Sequence, residues 1–210
     1  MARYTGPVCK ICRREGEKLF LKGERCSTPK CAVERKPYPP GLQGKRIRRR
    51  STEYGLRLRE KQKARGIYGV TERQFKIYFR EAVRTKGVTG SLLLSLIETR
   101  LDNVVFRLGF ASSRNEARQL VNLGHVSVDG ARVDVPSYRV KEGNVVEVRE
   151  ASRKMPGINR SLGLSEKKSL PGWLALEREK YRGKVVRTPQ REDIQVPISE
   201  NLIVEFYSRV

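Results

Sequence analysis

Long apolar segments are absent from this chain of 210 residues. No stretch of about 18 consecutive apolar residues occurs, which excludes a membrane-spanning helix of ordinary length. Residues 1–5 begin no apolar segment of the kind that a secretory signal carries. We therefore expect no signal peptide and a cytoplasmic location.

Acidic residues are scarce as well. The chain has 23 aspartate and glutamate residues against 45 lysine and arginine residues, which gives a formal net charge of +22. A free protein gains no stability from so much self-repulsion, so we expect a polyanionic partner that neutralises it. The basic residues are spread over nearly the whole chain, whereas membrane-binding clusters usually flank a span or an amphipathic helix. The composition therefore favours a nucleic acid over a membrane surface.

Candidate catalytic groups are few. His125 is the only histidine, and every cysteine lies about a hundred residues away in sequence, so no arrangement of nucleophile, base and carboxylate is indicated. No nucleotide-binding loop of the form G-x-x-x-x-G-K-S/T occurs. We expect the chain not to be an enzyme, and we interpret His125 as a turn residue that could touch RNA.

All four cysteines lie near the amino terminus, in two close pairs: Cys9, Cys12, Cys26 and Cys31. The spacing is C-x2-C, then 13 residues, then C-x4-C, and two such close pairs across a loop are typical of a structural metal site with four thiolate ligands. A reducing cytoplasm disfavours disulfides between them. Zn²⁺ is the preferred metal, and a 4Fe-4S cluster is the alternative, because the spacing does not exclude it. Few apolar residues lie in this segment, so the metal would supply most of its folding free energy.

Breaks at proline and glycine divide the chain into four segments and predict an α+β fold. We expect a four-cysteine metal knuckle at residues 1–36, followed by a basic linker and a helical domain at 37–90. Two helices and a small twisted sheet would form an RNA-binding module at 91–150. Residues 151–210 would hold a basic linker, a short helix near 173–181 and a C-terminal hairpin that packs back on the helical domain.

Local signals place several of these elements. The segment from Ser91 to Leu108 has helical apolar spacing and predicts one long helix. The pair Asp129-Gly130 between alternating valines predicts a tight hairpin. Serine and threonine side chains that can cap a helix predict three helix starts, at Ser51 or Thr52, at Thr71 and at Ser113.

Two basic surfaces are candidates for RNA contact. Residues 35–65 carry 12 basic and 2 acidic residues, and such an excess favours contact with phosphates. On the helix predicted after Ser113, two arginines four residues apart share one face near the positive amino-terminal end of the helix. The candidate residues are Lys45, Arg46, Arg48, Arg49 and Arg50 in the basic run, and Arg114, Asn115 and Arg118 on the helix.

Several stretches of the sequence resemble those of a known protein family. Residues 100–110, RLDNVVFRLGF, together with residues 125–130, HVSVDG, resemble the RNA-binding module named after ribosomal protein S-four. The similarity extends to residues 1–4, MARY, to residues 67–70, IYGV, and to residues 201–208, NLIVEFYS. Over essentially its whole length the chain resembles the bacterial S-four family of small-subunit ribosomal proteins.

This resemblance implies a primary binder of small-subunit ribosomal RNA that contacts the 5′ domain early in subunit assembly. It also implies a neighbouring small-subunit protein, at an interface linked to decoding accuracy. Basic residues would line the channel through which messenger RNA enters, and residues 46–50 fall in the matching stretch. Some members lack the four cysteines, so RNA binding in the family does not require the metal.

Two other readings stay open. The module also occurs in RNA-modifying enzymes, and Arg100-Leu101-Asp102 resembles the catalytic Arg-Leu-Asp of pseudouridine synthases. Here Asn103 follows within an apolar helix instead of the expected Thr/Ser-Gly turn, so we interpret Asp102 as an ion-pair partner on a helix surface. A DNA-binding regulator is the second alternative, because a four-cysteine knuckle with basic helices can read DNA. A salt titration on matched RNA and DNA would separate these classes.

Overall fold

The computed structural model of the chain describes residues 4–42, 44–45, 52–165 and 169–208. These residues form two compact units, one of Met1–Leu93 with Val196–Val210 and one of Leu94–Gln195. Helices and an antiparallel sheet confirm the α+β class. The elements are α1 Cys9–Glu15, α2 Ala32–Arg35, α3 Glu53–Tyr68, α4 Glu72–Arg84, α5 Thr89–Glu98, α6 Leu101–Arg107, α7 Arg114–Asn122, β1 Val126–Val128, β2 Ala131–Arg132, β3 Val145–Val148, α8 Pro156–Ser165, β4 Leu174–Glu177, β5 Arg182–Val185 and α9 Glu200–Ser208, with 3-10 turns at Gly23–Ser27, Glu150–Ser152 and Arg191–Asp193.

Two helices of the first unit, α3 and α4, start at the predicted capping residues. The Thr52 hydroxyl accepts the backbone N–H of Gly55 and begins α3, and the Thr71 hydroxyl accepts that of Gln74 and begins α4. Each side chain satisfies one of the backbone N–H groups that a helix start leaves without a partner. Gly69, with φ of 62°, ends α3 in the left-handed conformation that glycine adopts most readily.

The predicted C-terminal hairpin is wrong, because residues 200–208 form helix α9. Its buried residues, Ile203 and Phe206, are three apart and share one helical face. The ring of Tyr207 stacks on Phe79, with centroids 4.6 Å apart, and also contacts Phe75. Phe206 in turn contacts Tyr54 of α3, so α9 packs on α3 through its buried face and on α4 through Tyr207. This burial favours the helix over a strand.

A charged cluster reinforces this packing at Glu72. Its carboxylate accepts hydrogen bonds from the Tyr207 hydroxyl at 2.7 Å and from Lys61 Nζ at 2.9 Å. The buried Lys61 ammonium also lies 4.7 Å from the centroid of the Phe206 ring. Burial opposes ionisation of Glu72, but the hydrogen bonds from Lys61 and Tyr207 outweigh it and lower the pKa of Glu72 below its ordinary value of 4.5.

Acid should weaken the packing of α9 through Glu72. Because the pKa of Glu72 is lower in the folded chain than in the unfolded chain, its contribution is present above about pH 4.5 and is lost as the pH falls through the lowered pKa. Protection factors of the α9 amides, which correct for slower intrinsic exchange in acid, should therefore fall below pH 4.5 in the unaltered chain. The variant Glu72→Gln should exchange faster at neutral pH and change less in acid. Equal pH profiles for the two proteins would contradict this role of Glu72.

The second unit packs helices α6, α7 and α8 against a five-stranded antiparallel sheet with the strand order β2-β1-β3-β5-β4. In β3 the register pairs Val146 with Val128 of β1 on one side and with Gly183 of β5 on the other. The core consists of buried residues from α6, α7, α8 and the sheet, and Trp173 has no exposed surface. A side chain on Gly183 would collide with Leu108, so the close approach of α6 to the sheet depends on this glycine.

The Asp129-Gly130 turn is confirmed. Both residues have positive φ, 51° and 82°, as a type I′ turn requires, and they connect β1 to β2.

The single helix predicted from Ser91 to Leu108 is wrong, because the chain breaks between α5 and α6. Arg100 is extended there, and the backbone N–H of Leu101 donates to the Tyr138 carbonyl at 2.8 Å.

Residues 151–172 contain more structure than the predicted linker. Helix α8 begins at Pro156, a residue suited to the first helical position, and buries Ile158 and Leu162. The short helix predicted near 173–181 is also wrong. Strands β4 and β5 lie there as an antiparallel pair that extends the sheet. The turn between them ends at Tyr181, which has a φ of 54°.

Candidate nucleic-acid interface

Helix α7 holds the two arginines that the sequence proposes for RNA contact. The Ser113 hydroxyl accepts the backbone N–H of Glu116 and begins the helix as predicted. The Glu116 carboxylate accepts the backbone N–H of Ser112 at 2.7 Å, which satisfies a further donor at this helix start. Arg114 and Arg118 then follow on one face, with Asn115 half-buried beside them.

A buried carboxylate, Glu98, organises the base of this surface. It accepts hydrogen bonds from Asn103 Nδ2 at 2.5 Å and from Arg107 Nη2 at 2.6 Å, and Arg114 Nη2 lies 4.0 Å away. A fully buried charge is tolerated only when it is paired and hydrogen-bonded. Sequence reasoning missed Glu98, although an acidic residue among apolar neighbours at the end of a predicted core helix was a usable signal.

A second ion cluster surrounds Asp102. Arg100 is 2% exposed and donates through Nη2 to Asp102 Oδ2 at 2.6 Å and through Nε to Oδ1 at 3.0 Å. Arg118 Nη1 reaches the same Oδ2 at 3.1 Å. The prediction that Asp102 is an ion-pair partner is confirmed, but its surface location is wrong, because only 5% of the residue is exposed.

The arginines of α7 are therefore held in place instead of projecting freely outward as predicted. Arg114 Nε donates to Asn103 Oδ1 at 2.8 Å, and its guanidinium lies 4.5 Å from the centroid of the Phe106 ring. Its side chain is 14% exposed and that of Arg118 is 27% exposed. These contacts hold each guanidinium in place, and both side chains remain partly exposed.

Replacing Arg118 by alanine should reduce stability as well as any contact with RNA. The change removes a charged hydrogen bond to Asp102, and bonds of this kind contribute about 1.5–3 kcal/mol. We expect a loss near the lower end of that range because Arg118 is partly exposed. Urea unfolding measured by Trp173 fluorescence tests this. An unfolding midpoint identical to that of the unaltered chain would contradict the expectation, and Arg118→Lys is the control that keeps the charge.

The amino-terminal cysteines lie on three short elements of the first unit. Cys9 and Cys12 are in α1, Cys26 is in the 3-10 turn and Cys31 precedes α2. Three of the four are buried, and Cys9 is partly exposed. The backbone N–H of Lys22 donates to Cys26 Sγ at 3.4 Å.

The thiols influence one another. Burial raises the pKa of Cys12 above its ordinary value of 9.0, a backbone hydrogen bond from Leu19 opposes that rise, and the other three cysteines add to it. Burial likewise raises the pKa of Cys26. Four thiols are the ligand type of a structural zinc centre, and a bound cation would reverse this preference for the neutral thiol. Across the described ranges, however, no group of three or more histidine, cysteine or acidic side chains is arranged so that it could hold a metal ion.

The basic run after the knuckle is described only at its start. Lys45 is exposed, and its Nζ lies 5.2 Å from the centroid of the Tyr38 ring. Arg13 from α1 lies 4.9 Å from the centroid of the same ring and donates to the carbonyls of Lys36 and Tyr38, which fixes the segment before Lys45. The other candidates of the run lie outside the described residues: Arg46, Arg48, Arg49 and Arg50.

His125 is half-buried between α7 and β1, and its Nδ1 lies 2.8 Å from Ser152 Oγ. This partner accounts for the side chain structurally, in keeping with its interpretation as a turn residue.

In the described part of the chain no helix is both long and apolar enough to cross a membrane.

Comparisons with known proteins agree with the sequence reading. Residues 3–98 match the family described as "Ribosomal protein S4/S9 N-terminal domain", and residues 99–146 match the "S4 domain". Proteins named small ribosomal subunit protein uS4 are 60% identical in Natranaerobius thermophilus, 57% in Halothermothrix orenii and 56% in Thermus thermophilus. Each alignment spans 209 residues and the full length of both chains. The chain therefore belongs to the family of small ribosomal subunit protein uS4.

Proposed function

We propose that this chain is a structural constituent of the small ribosomal subunit that binds ribosomal RNA directly and carries out no chemistry. The observation that carries the proposal is full-length membership of the uS4 family with an S4 domain at residues 99–146. The net charge of +22 supports it, because neutralising RNA phosphates relieves the self-repulsion. The RNA-modifying and DNA-binding alternatives lose their support, since the family is one of ribosomal proteins.

The proposed binding surface includes Arg114, Asn115 and Arg118 on α7. The ion pairs to Glu98 and Asp102 would fix these arginines before RNA arrives, which lowers the entropic cost of binding. The basic run from Lys45 to Arg50 would supply a second surface. Specificity would come from the shape of folded RNA more than from the edges of its bases.

The finer role of the protein follows the family resemblance. We propose that it binds the 5′ domain of small-subunit ribosomal RNA, nucleates assembly and adjoins another small-subunit protein at an interface that affects translational accuracy. Residues 46–50 would contact messenger RNA where it enters the subunit. Their positive charge supports this assignment.

We also propose that Cys9, Cys12, Cys26 and Cys31 hold one metal centre, with Zn²⁺ preferred and a 4Fe-4S cluster as the alternative. The burial of three thiols and the N–H group that points at Cys26 Sγ support this proposal. A closed four-thiolate centre crosslinks the chain and leaves no position open for catalysis. Its role would be to stabilise the knuckle that precedes the basic run.

The direct test is filter binding of the purified chain to a 5′-domain fragment of small-subunit ribosomal RNA. Transfer RNA and duplex DNA of equal length serve as competitors across a salt series. We expect binding of the ribosomal fragment to persist at salt concentrations that release both competitors. Equal affinity for all three, lost at the same salt concentration, would reject specific ribosomal binding and leave only the charge effect.

A further inference from the structure

Helix α4 exposes a face that neither proposed RNA-binding surface includes. Its buried side packs against the first unit through Phe75, Tyr78, Phe79 and Ala82. The opposite side is exposed and carries four cations, Arg73, Lys76, Arg80 and Arg84, interleaved with Ile77 and Val83. We call the four cations the α4 stripe. At about 1.5 Å per residue, the stripe runs for roughly 16 Å along the helix.

The cations of the α4 stripe are uncompensated. Within the part of the chain that the structure describes, no ion pair or hydrogen bond engages any of the four side chains. The neighbouring helix α3 is equally basic, but each of its five cations is paired with a glutamate. These pairs are Arg57 with Glu53 and Glu205, Arg59 with Glu15, Lys61 with Glu72, Lys63 with Glu17 and Glu60, and Arg65 with Glu72.

This contrast separates structural cations from available ones. In α3 each cation is paired with a carboxylate of the chain itself. At Arg114 and Arg118 of α7 the ion pairs orient guanidinium groups that stay partly exposed. Cations four residues apart on one helix face, such as Lys76, Arg80 and Arg84, repel one another and destabilise the helix slightly. An anionic partner would turn that cost into a gain.

The chemistry of the α4 stripe favours RNA over other partners. The central region of a protein interface is depleted of charge, whereas the centre of this face is formed by arginine and lysine. A helix that lies on a membrane needs a broad apolar face on the lipid side, and this face has only two apolar residues. An extended row of phosphates matches a row of cations of this length.

We propose that the α4 stripe binds the phosphate backbone of ribosomal RNA, as a contact surface additional to α7 and the basic run. The inference rests on the proposed ribosomal function. The four cations contribute charge and position but no base reading, so the stripe increases affinity for RNA generally and makes it strongly dependent on salt.

The test compares a fourfold variant with a charge-matched control in the full-length chain. The variant is Arg73→Gln, Lys76→Gln, Arg80→Gln and Arg84→Gln. Glutamine forms helices well, and these positions are exposed, so circular dichroism should be unchanged. The control removes four exposed charges from the second unit through Lys141→Gln, Lys154→Gln, Lys180→Gln and Lys184→Gln. A third protein, with Arg73→Lys, Arg80→Lys and Arg84→Lys, keeps the charge of the stripe.

Affinity for the 5′-domain fragment is measured from low to high salt. Losing four phosphate contacts should lower affinity at least about tenfold near 0.1 M salt and reduce the slope of log affinity against log salt by about 3. The lysine variant should keep nearly the original slope, and the control should lose much less affinity than the α4 variant.

Two results would overturn the inference and leave the proposed function standing. The unaltered chain could prefer the ribosomal fragment while the α4 variant binds it with the same affinity and slope. The α4 variant and the control could instead lose affinity equally, which would mean that only total charge matters. If the unaltered chain itself shows no preference for the ribosomal fragment, the proposed function and the inference both fail.

Discussion

Replacing Asp102 by alanine is expected to destabilise the second unit by about 3–5 kcal/mol, because the change leaves a buried arginine without its carboxylate. Arg100 is 2% exposed and makes two hydrogen bonds to Asp102. Arg118 shares the same carboxylate, so the change removes the counter-charge of two guanidinium groups at once. A buried charge that has lost its partner pays its desolvation cost without compensation.

The measurement is urea unfolding followed by fluorescence of Trp173, the only tryptophan. Its side chain is fully buried in the core of the second unit, so its signal reports that unit alone. Asp134→Ala removes an exposed aspartate of the same unit and should change stability by less than about 0.5 kcal/mol. Asp102→Asn keeps the shape of the side chain and loses its charge, so its loss of stability should lie between those of the two alanine variants. A midpoint for Asp102→Ala equal to that of Asp134→Ala would show that the ion pair adds no stability.

The break that creates this buried ion pair is also where sequence reasoning failed. The apolar spacing from Leu92 to Leu108 continues without interruption, and nothing local marks a helix end at Thr99. The break depends on a distant segment, because the backbone N–H groups of Leu101 and Asp102 donate to the carbonyls of Tyr138 and Pro136. Helix periodicity carries no information about such long-range bonds.

Features set by adjacent residues were predictable. Thr52, Thr71 and Ser113 each accept a backbone N–H at the start of a helix, as their side-chain chemistry requires. The Asp129-Gly130 turn has the two positive φ angles that this pair favours. In each case one short-range interaction decides the conformation, and the sequence contains both of its partners.

The carboxy-terminal third was harder because its apolar runs are short. Residues 202–206 fit a strand by alternation, whereas the pair Ile203 and Phe206 also fits one face of a helix. Runs of four to eight residues do not separate the two periods. The packing of Tyr207 on Phe79, more than a hundred residues away in sequence, settles the choice.

The partners of the candidate RNA-binding residues were also not predictable from local sequence. Charge and spacing identified Arg114 and Arg118 as neighbours on one face, and the structure places them so. Their ion pairs with Glu98 and Asp102 depend on the packing of α7 against α6, which no local pattern reveals. The α4 stripe was equally visible as basic residues in the sequence. Its availability became clear only when the structure showed which cations are paired.

Chelation of the proposed metal centre is the change with the largest expected effect on the amino-terminal segment. Structural zinc sites contribute about 10–16 kcal/mol to small peptide domains, and α1 and α2 have only seven and four residues. Helices this short are not stable alone in water. We therefore expect the chain purified under reducing conditions to contain about one zinc per molecule, and a strong chelator to abolish hydrogen-exchange protection from Cys9 to Arg35.

The loss of hydrogen-exchange protection should be confined to the knuckle, because α3, α4 and α9 have their own aromatic and apolar core. Cys12→Ser should reproduce the chelated state, whereas Ser27→Ala, at an exposed position of the same segment, should bind metal normally. If the purified chain contains iron and inorganic sulfide instead of zinc, the centre is the 4Fe-4S cluster, and the assignment of the four thiolate ligands still holds. A chain that binds neither, with full protection of the knuckle, would reject the centre altogether. In that case the buried thiols of Cys12, Cys26 and Cys31 would act as small apolar side chains that hold the knuckle by packing alone.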